Sequence, residues 1–197
     1  MKKTTFTSLL LLLCIHFSFI IIPSEPYSLD QGHTYIGFDV ERFLVGEVSG
    51  RFNEFSADVS MKDNDYTTLQ LDATIKVASI DSNNKTRDGH LKGEIWLDEA
   101  NHPTIRFTST SVSKNEYGKY IMTGNFTIKG ITNTVTFPIV ISGPFKDPTQ
   151  KTAIGIKADF VINRFDYGIN LDKKLRNGSF FIGKDVKIKI RALAYKN

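Results

Sequence analysis

Strict alternation of apolar and polar residues, repeated along almost the whole chain beyond residue 25, is the feature that most limits what it can fold into. Near the C-terminus Val186, Ile188, Ile190 and Ala192 alternate with Lys187, Lys189 and Arg191. A period of two puts these sets on opposite faces of a strand, one for a core and one for water. The pattern recurs through Ile36, Phe38 and Val40; through Leu69, Leu71, Ala73, Ile75 and Val77; and through Ile105 and Phe107. It continues through Met122, Gly124, Phe126 and Ile128; through Val135, Phe137, Ile139 and Ile141; and through Ile154, Ile156, Ala158, Phe160 and Ile162. With a strand over residues 48–61 the count is roughly eight, and Phe (15) and Tyr (7) supply the β-favouring side chains it needs. Turn chemistry is expected at Asp63-Asn64-Asp65, Tyr117-Gly118, Gly143-Pro144 and Asn177-Gly178. Only short helices fit, over about residues 86–91 and 172–176. The expectation is an all-β fold, an eight-stranded antiparallel barrel with one or two short helices, because closure removes unpaired edges. A two-sheet sandwich is the alternative.

Ahead of this pattern, Met1-Lys2-Lys3 and the apolar run over residues 9–22 read as the charged and apolar regions of a signal peptide. That run is 14 residues long, short of the ~20 a spanning helix needs, although Phe6 could extend it into an uncleaved anchor. Cleavage is expected near Ser24, which leaves a domain of residues 25–197, periplasmic or secreted. Cys14, the single cysteine, lies within the leader behind Leu13, where a lipoprotein signal wants a small residue. The exported chain then has no thiol, so its stability must come from its core. The net charge of +4 falls to +2 without Lys2 and Lys3, and no stretch interleaves Lys or Arg with stacking aromatics, which argues against nucleic acid.

The polar residues suggest little chemistry. His33, His90 and His102 lack metal-ligand spacing, and no nucleophile elbow, phosphate loop or zinc-protease helix occurs. Asp88 and His90 fit the fixing of a short helix better than an acid–base pair. Asn163-Arg164-Phe165-Asp166 follows an apolar strand, where Arg164 can clasp the turn or lie near a polar ligand group. The inward positions mix bulky Phe and Ile with Gly50, Gly124, Ala73 and Ala158. That mixture suits a packed core or a slender channel.

Several segments, in order, carry a family resemblance. They begin with Asp30-x-x-His33-Thr34-x-Ile36-x-Phe38, Gly50-Arg51-Phe52-x-x-Phe55 and Ser79-Ile80. Arg87-Asp88-x-His90-Leu91, His102-Pro103-x-Ile105-x-Phe107-x-Ser109-Thr110 and Gly124-x-Phe126-Thr127-Ile128-Lys129-Gly130 follow. Ile162-Asn163-Arg164-x-Asp166-Tyr167-Gly168 and Val186-x-Ile188-x-Ile190 complete the series. Over residues 27–195 the chain resembles the YceI-like family of exported lipid-binding proteins. The resemblance implies a lipocalin-like barrel whose apolar channel takes a polyisoprenoid or similar amphiphilic chain. Arg42 stands where the family commonly has His, and Ile95-Trp96 replaces its usual aromatic pair.

The channel wall expected on this basis comprises Ile36, Phe38, Val40, Phe52, Leu71, Ile75, Trp96, Ile105, Phe107, Met122, Phe126, Phe137, Ile139, Ile156, Ala158, Phe160 and Ile188, with His33, Arg42 and Arg164 as head-group contacts. No catalytic residue, metal or cofactor is expected; the ligand is a non-covalent lipid such as an isoprenoid quinone or polyprenyl chain. A transient membrane contact and a homodimer are both compatible with that reading. The alternatives are a fatty-acid or fatty-amide binder, a fully packed structural or stress-related envelope protein, and an enzyme using His33, Asp88, His90, Arg164 and Asp166 at the barrel mouth.

Overall fold

The computed structural model describes residues 24–197, so the leader and its cleavage lie outside the described residues. The strands are β1 (Glu25–Leu29), β2 (Tyr35–Arg42), β3 (Gly46–Phe52), β4 (Phe55–Lys62), β5 (Asp65–Lys76), β6 (Ile80–Asp81), β7 (Thr104–Lys114), β8 (Tyr120–Ile128), β9 (Ile131–Lys146), β10 (Thr152–Asn163) and β11 (Ile182–Lys196). Helix α1 spans Lys85–Lys92, and 3₁₀ turns occupy Val77–Ser79 and Arg164–Tyr167. All pairings are antiparallel, and β11 closes the ring by pairing with β10 on one side and with both β1 and β2 on the other. β1 and β2 therefore form one long broken strand. β3 with β4 and β5 with β6 do the same, which gives the eight-stranded closed barrel expected from the alternation.

The three breaks lie side by side and are tied together. At the first, Asp30 Oδ1 accepts from the Gly32 and His33 amides, and Gln31 Nε2 donates to Phe55 O beside the second. The Asn53 amide donates to Ser79 O, and the Lys76 amide to Glu54 O, which locks the second break to the third. Such bends turn a sheet sharply enough to close it. The residues 48–61 expected as one strand thus fold as two.

The expected turn at Asp63-Asn64 is found, and Lys129-Gly130 makes a second that the sequence reading did not name; all four residues have positive φ, the backbone that two-residue hairpins require. Two expectations fail. Gly143-Pro144 lies inside β9, next to the register shift between Ala153 and Gly155 of β10, where a proline costs no ladder bond; the turn is Asp147–Gln150 instead. Residues 172–176 form no helix: Lys174 bridges to Phe180 around an Asn177-Gly178 turn, and the 3₁₀ turn at Arg164–Tyr167 takes the helical role, capped by Gly168 at φ 70°.

Two stretches of wall lack a ladder: β9 and β10 do not pair beyond Ala158↔Ile139, and β5 and β7 part as well. β5 pairs with β7 only from Asp72↔Thr108 to Lys76↔Thr104. Beyond that the strands part, the Leu71 amide donates to Ser109 Oγ at 2.8 Å, and an outer groove of about 950 Å³ opens along Thr67–Asp72 and Thr108–Val112.

Candidate functional site

The barrel interior divides by level. At the end carrying the β4–β5 and β7–β8 turns, Tyr27, Met61, Leu69, Val112 and Ile154 are buried against one another, and Tyr66 meets Tyr120 edge-on at 5.3 Å. These residues form a solid floor. Above it lies a cavity of about 180 Å³ whose free surface is wholly apolar. Its lining runs from Val186 to Ala194 along β11, eight residue steps or about 26 Å of strand, and strand tilt reduces that to roughly 20 Å along the axis.

The two sides of the cavity differ in kind. From β7 to β10 the wall is aromatic: Phe137 stacks on Phe160 at 4.1 Å, and Phe107, Phe126 and Tyr167 join them edge-on or tilted. Across from it Ile36, Val40, Leu71, Ile188 and Ile190 surround the tilted Phe38–Phe52 pair, 6.0 Å apart. Leu91, Trp96 and Leu97, from α1 and the segment after it, cover the top. Asn84 caps α1 by accepting from the Arg87 amide, and Asp88 Oδ1 accepts from the Ser82 amide at 2.8 Å, which fixes the helix over the opening.

Every apolar residue expected on the wall lines this cavity. The glycines among the inward residues act otherwise than their size suggests. The Phe38 ring lies over Gly50 and the Phe107 ring over Gly124, so close that a Cβ at either position would collide with it. These glycines make room for rings, and the hollow lies elsewhere.

Of the expected polar contacts only Arg164 is in the lining. It is 2% exposed, and its guanidinium donates to the carbonyls of Gly183 (3.0 Å), Ile169 (2.5 Å), Leu171 (2.6 Å) and Ile182 (3.0 Å). Burial lowers its pKa, countered by the field of Asp172. This is the clasp: it ties the segment after the 3₁₀ turn to the start of β11 and leaves little for a ligand. His33 and Arg42 line no part of the cavity, contrary to expectation. The His33 ring sits outside on the β1–β2 bend against Asp30, which its hydrogen bond holds below the usual carboxylate range, and Arg42 covers the rings of Phe43 and Phe181. The groups weighed as an active site stand apart, with Asp88 and His90 on α1 and Asp166 exposed on the 3₁₀ turn. Among the described residues no three His, Cys, Asp or Glu side chains gather as metal ligands.

Sequence reasoning missed Tyr167. It is 1% exposed and lines the cavity, and its hydroxyl has no close hydrogen-bond partner. Burial pushes its pKa up, against a weaker downward pull from the Asn133 side chain. The signal was its place directly after Asp166, in a motif read only for its charges.

A family model described as YceI-like domain matches residues 27–194. The chain belongs to the YceI-like family. UPF0312 protein SA2479 of Staphylococcus aureus (strain N315) is 35% identical over 167 residues, which is 84% of this chain and 95% of that protein. A Campylobacter jejuni YceI crystal structure superposes with a TM-score of 0.69 at 29% identity, over 87% of this chain and 98% of the other. A polyisoprenoid binding domain from Saccharophagus degradans shares the fold at a TM-score of 0.65 and 12% identity, over 87% and 98% of the two chains. In this YceI-like barrel the upper half is hollow above a solid floor.

Proposed function

We propose that the protein binds a long-chain isoprenoid or related amphiphilic lipid in the barrel cavity and shields it from water, for transport or storage in the cell envelope after export by its leader. The observation that carries this reading is the wholly apolar surface of a cavity some 20 Å long. A cavity of that character stays dry and favours apolar guests over water. Each buried methylene contributes about 0.8 kcal/mol, so ten carbons gain roughly 8 kcal/mol before the losses of ligand and side-chain freedom. The fold shared with a polyisoprenoid binding domain supports the choice of ligand class. The reading is of binding without turnover, since the polar groups near the mouth are dispersed.

Ala158 lines the cavity between Ile139 and Ile190. Ala158→Phe is expected to fill the hollow, lower affinity for a fluorescent polyprenyl probe by at least about 100-fold, and leave the melting temperature equal or higher. Unchanged binding, or a loss of about 1–3 kcal/mol in stability from overpacking, would count against a ligand channel. Mass spectrometry of organic extracts of the protein from its native host would name the ligand, and a wild type that carries and takes up no lipid would refute the reading.

A further inference from the structure

The β2–β3 hairpin ends in Phe43-Leu44-Val45, three apolar residues in succession where turn chemistry favours polar ones. Phe43 and Leu44 hold φ of 54° and 69°, a left-handed backbone that ordinarily selects Gly, Asn or Asp. The tip therefore keeps bulky apolar side chains against local backbone preference. Val45 is 94% exposed, and Phe43 and Leu44 are nearly half exposed.

The tip is held in place from below. The Phe43 amide donates to Phe181 O, and the two rings meet edge-on at 4.2 Å. Arg42 lies over both rings, Lys173 over Phe181 and Lys174 over Phe180, all at 5.1–5.4 Å. Residues 172–176 add Arg176 to these cations, against Asp172, which lies in the field of Arg164. On the hairpin itself the carboxylates are Asp39, Glu41 and Glu47; Asp39 pairs with Lys189, and Glu47 with Lys187 at 3.1 Å. Because β3 meets β6 only at Arg51 and Phe52, the rest of the hairpin stands clear of its neighbour on that side. Val40, two residues below Arg42, already lines the cavity.

An exposed apolar tip within a collar of cations is the composition that enters the headgroup layer of an anionic leaflet. A tip of three residues offers too little area for a stable protein interface, whereas a bilayer accepts it alone. We infer that the β2–β3 tip and residues 172–181 form the face by which the barrel docks on an anionic bilayer, with its mouth held at the depth from which a lipid chain is drawn. This rests on the lipid-binding reading for its purpose and on the tip alone for its geometry.

The test is sedimentation of the purified protein with vesicles of mixed phosphatidylcholine and phosphatidylglycerol, and with phosphatidylcholine alone. Binding is expected to the anionic vesicles, and to fade between about 0.1 M and about 1 M salt as the screening length falls from about 10 Å to about 3 Å. The double variant Leu44→Asp/Val45→Asp should bind at least about tenfold more weakly, and Lys173→Glu about fivefold or more. Lys151→Glu, in the turn at the opposite end, should bind as the wild type does. All three should keep the wild-type melting temperature and uptake of a fluorescent polyprenyl probe in vesicle-free buffer. Docking at this face is overturned if the wild type ignores anionic vesicles, if the double variant binds equally well, or if Lys151→Glu weakens binding as much as Lys173→Glu. It is also overturned if sedimentation velocity shows a dimer that the double variant dissociates, since a second copy would then cover the tip. Vesicle binding without probe uptake would break the carrier reading and leave the docking face standing, and probe uptake without vesicle binding would do the reverse.

Discussion

Ile154 and Ile156 stand two positions apart on β10 with side chains to the same side, yet Ile154 is sealed in the floor and Ile156 lines the hollow. The floor holds itself by contact: Met61, Leu69, Val112 and Ile154 lie in one buried cluster, and the Tyr66–Tyr120 pair packs against it. The upper half lacks that filling at its centre. Its cover is held by directed bonds, the Arg164 clasp on four carbonyls and the Asp88 bond to Ser82, which keep a cavity from collapsing. One barrel can thus be solid at one level and hollow at the next, with different forces holding each.

The clasp gives the sharpest test of that division. Arg164→Ala is expected to destabilise by about 3–5 kcal/mol, because buried acceptors lose their common donor at once. Arg164→Lys should recover little, since an ammonium cannot reproduce the guanidinium fork. Urea melts would measure both, and a loss below about 1 kcal/mol for the alanine variant would show that packing alone holds the cover. Next come the two isoleucines. Ile154→Ala should cost about 2–5 kcal/mol by opening a void in the floor, and Ile156→Ala roughly half as much, because that side chain already borders free space. Equal costs would erase the distinction between the levels.

The smallest effect belongs to the outer wall beside the hollow. Burial pushes the Asp39 carboxyl up, but hydrogen bonds from Lys189 and Ser49 outweigh it and hold the group below its usual range, while the bond to Asp39 raises the Lys189 ammonium. The lowered carboxyl contributes stability that is present above about pH 4 and lost as pH falls through the folded-state value. The raised ammonium contributes below about pH 10.4 and loses its part as pH rises through the folded-state value. Asp39→Asn should therefore lower the melting temperature by a few degrees at neutral pH, with the gap closing towards pH 2 and again above about pH 11. A gap constant with pH would mean that the pair plays no part.

The alternation that made the barrel legible is local, and so it carried the strand residues of the wall from Ile36 to Ile188, while Trp96 entered only through the family resemblance. It could not separate Ile154 from Ile156, whose patterns are identical; what differs is which neighbours the closed ring brings opposite them. The glycines misled for the same reason, since only the register of Phe38 against Gly50 shows a ring lying across the gap. Arg164 was legible as a turn clasp, but its four acceptors lie on segments that meet only after folding. His33 and Arg42 were placed by resemblance to a sequence pattern, and a bend at Asp30 and the rings of Phe43 and Phe181 decided their positions instead.

The parting of β5 from β7 bears on how the molecule opens. Most of the wall is stitched by longer ladders, such as the one joining Ala153–Asn163 to β11, and β9 and β10 still share six pairs. Here five residue pairs are all that close the ring, and the floor side chains bridge the rest. Parting those few pairs would unroll the barrel into a flat meander with β7 at one edge and β5 at the other, every other strand still beside its neighbour. The amides of Thr104–Lys114 that face the seam should then exchange with deuterium well before those shared by β10 and β11, because the least costly opening of a ring runs through its weakest joint.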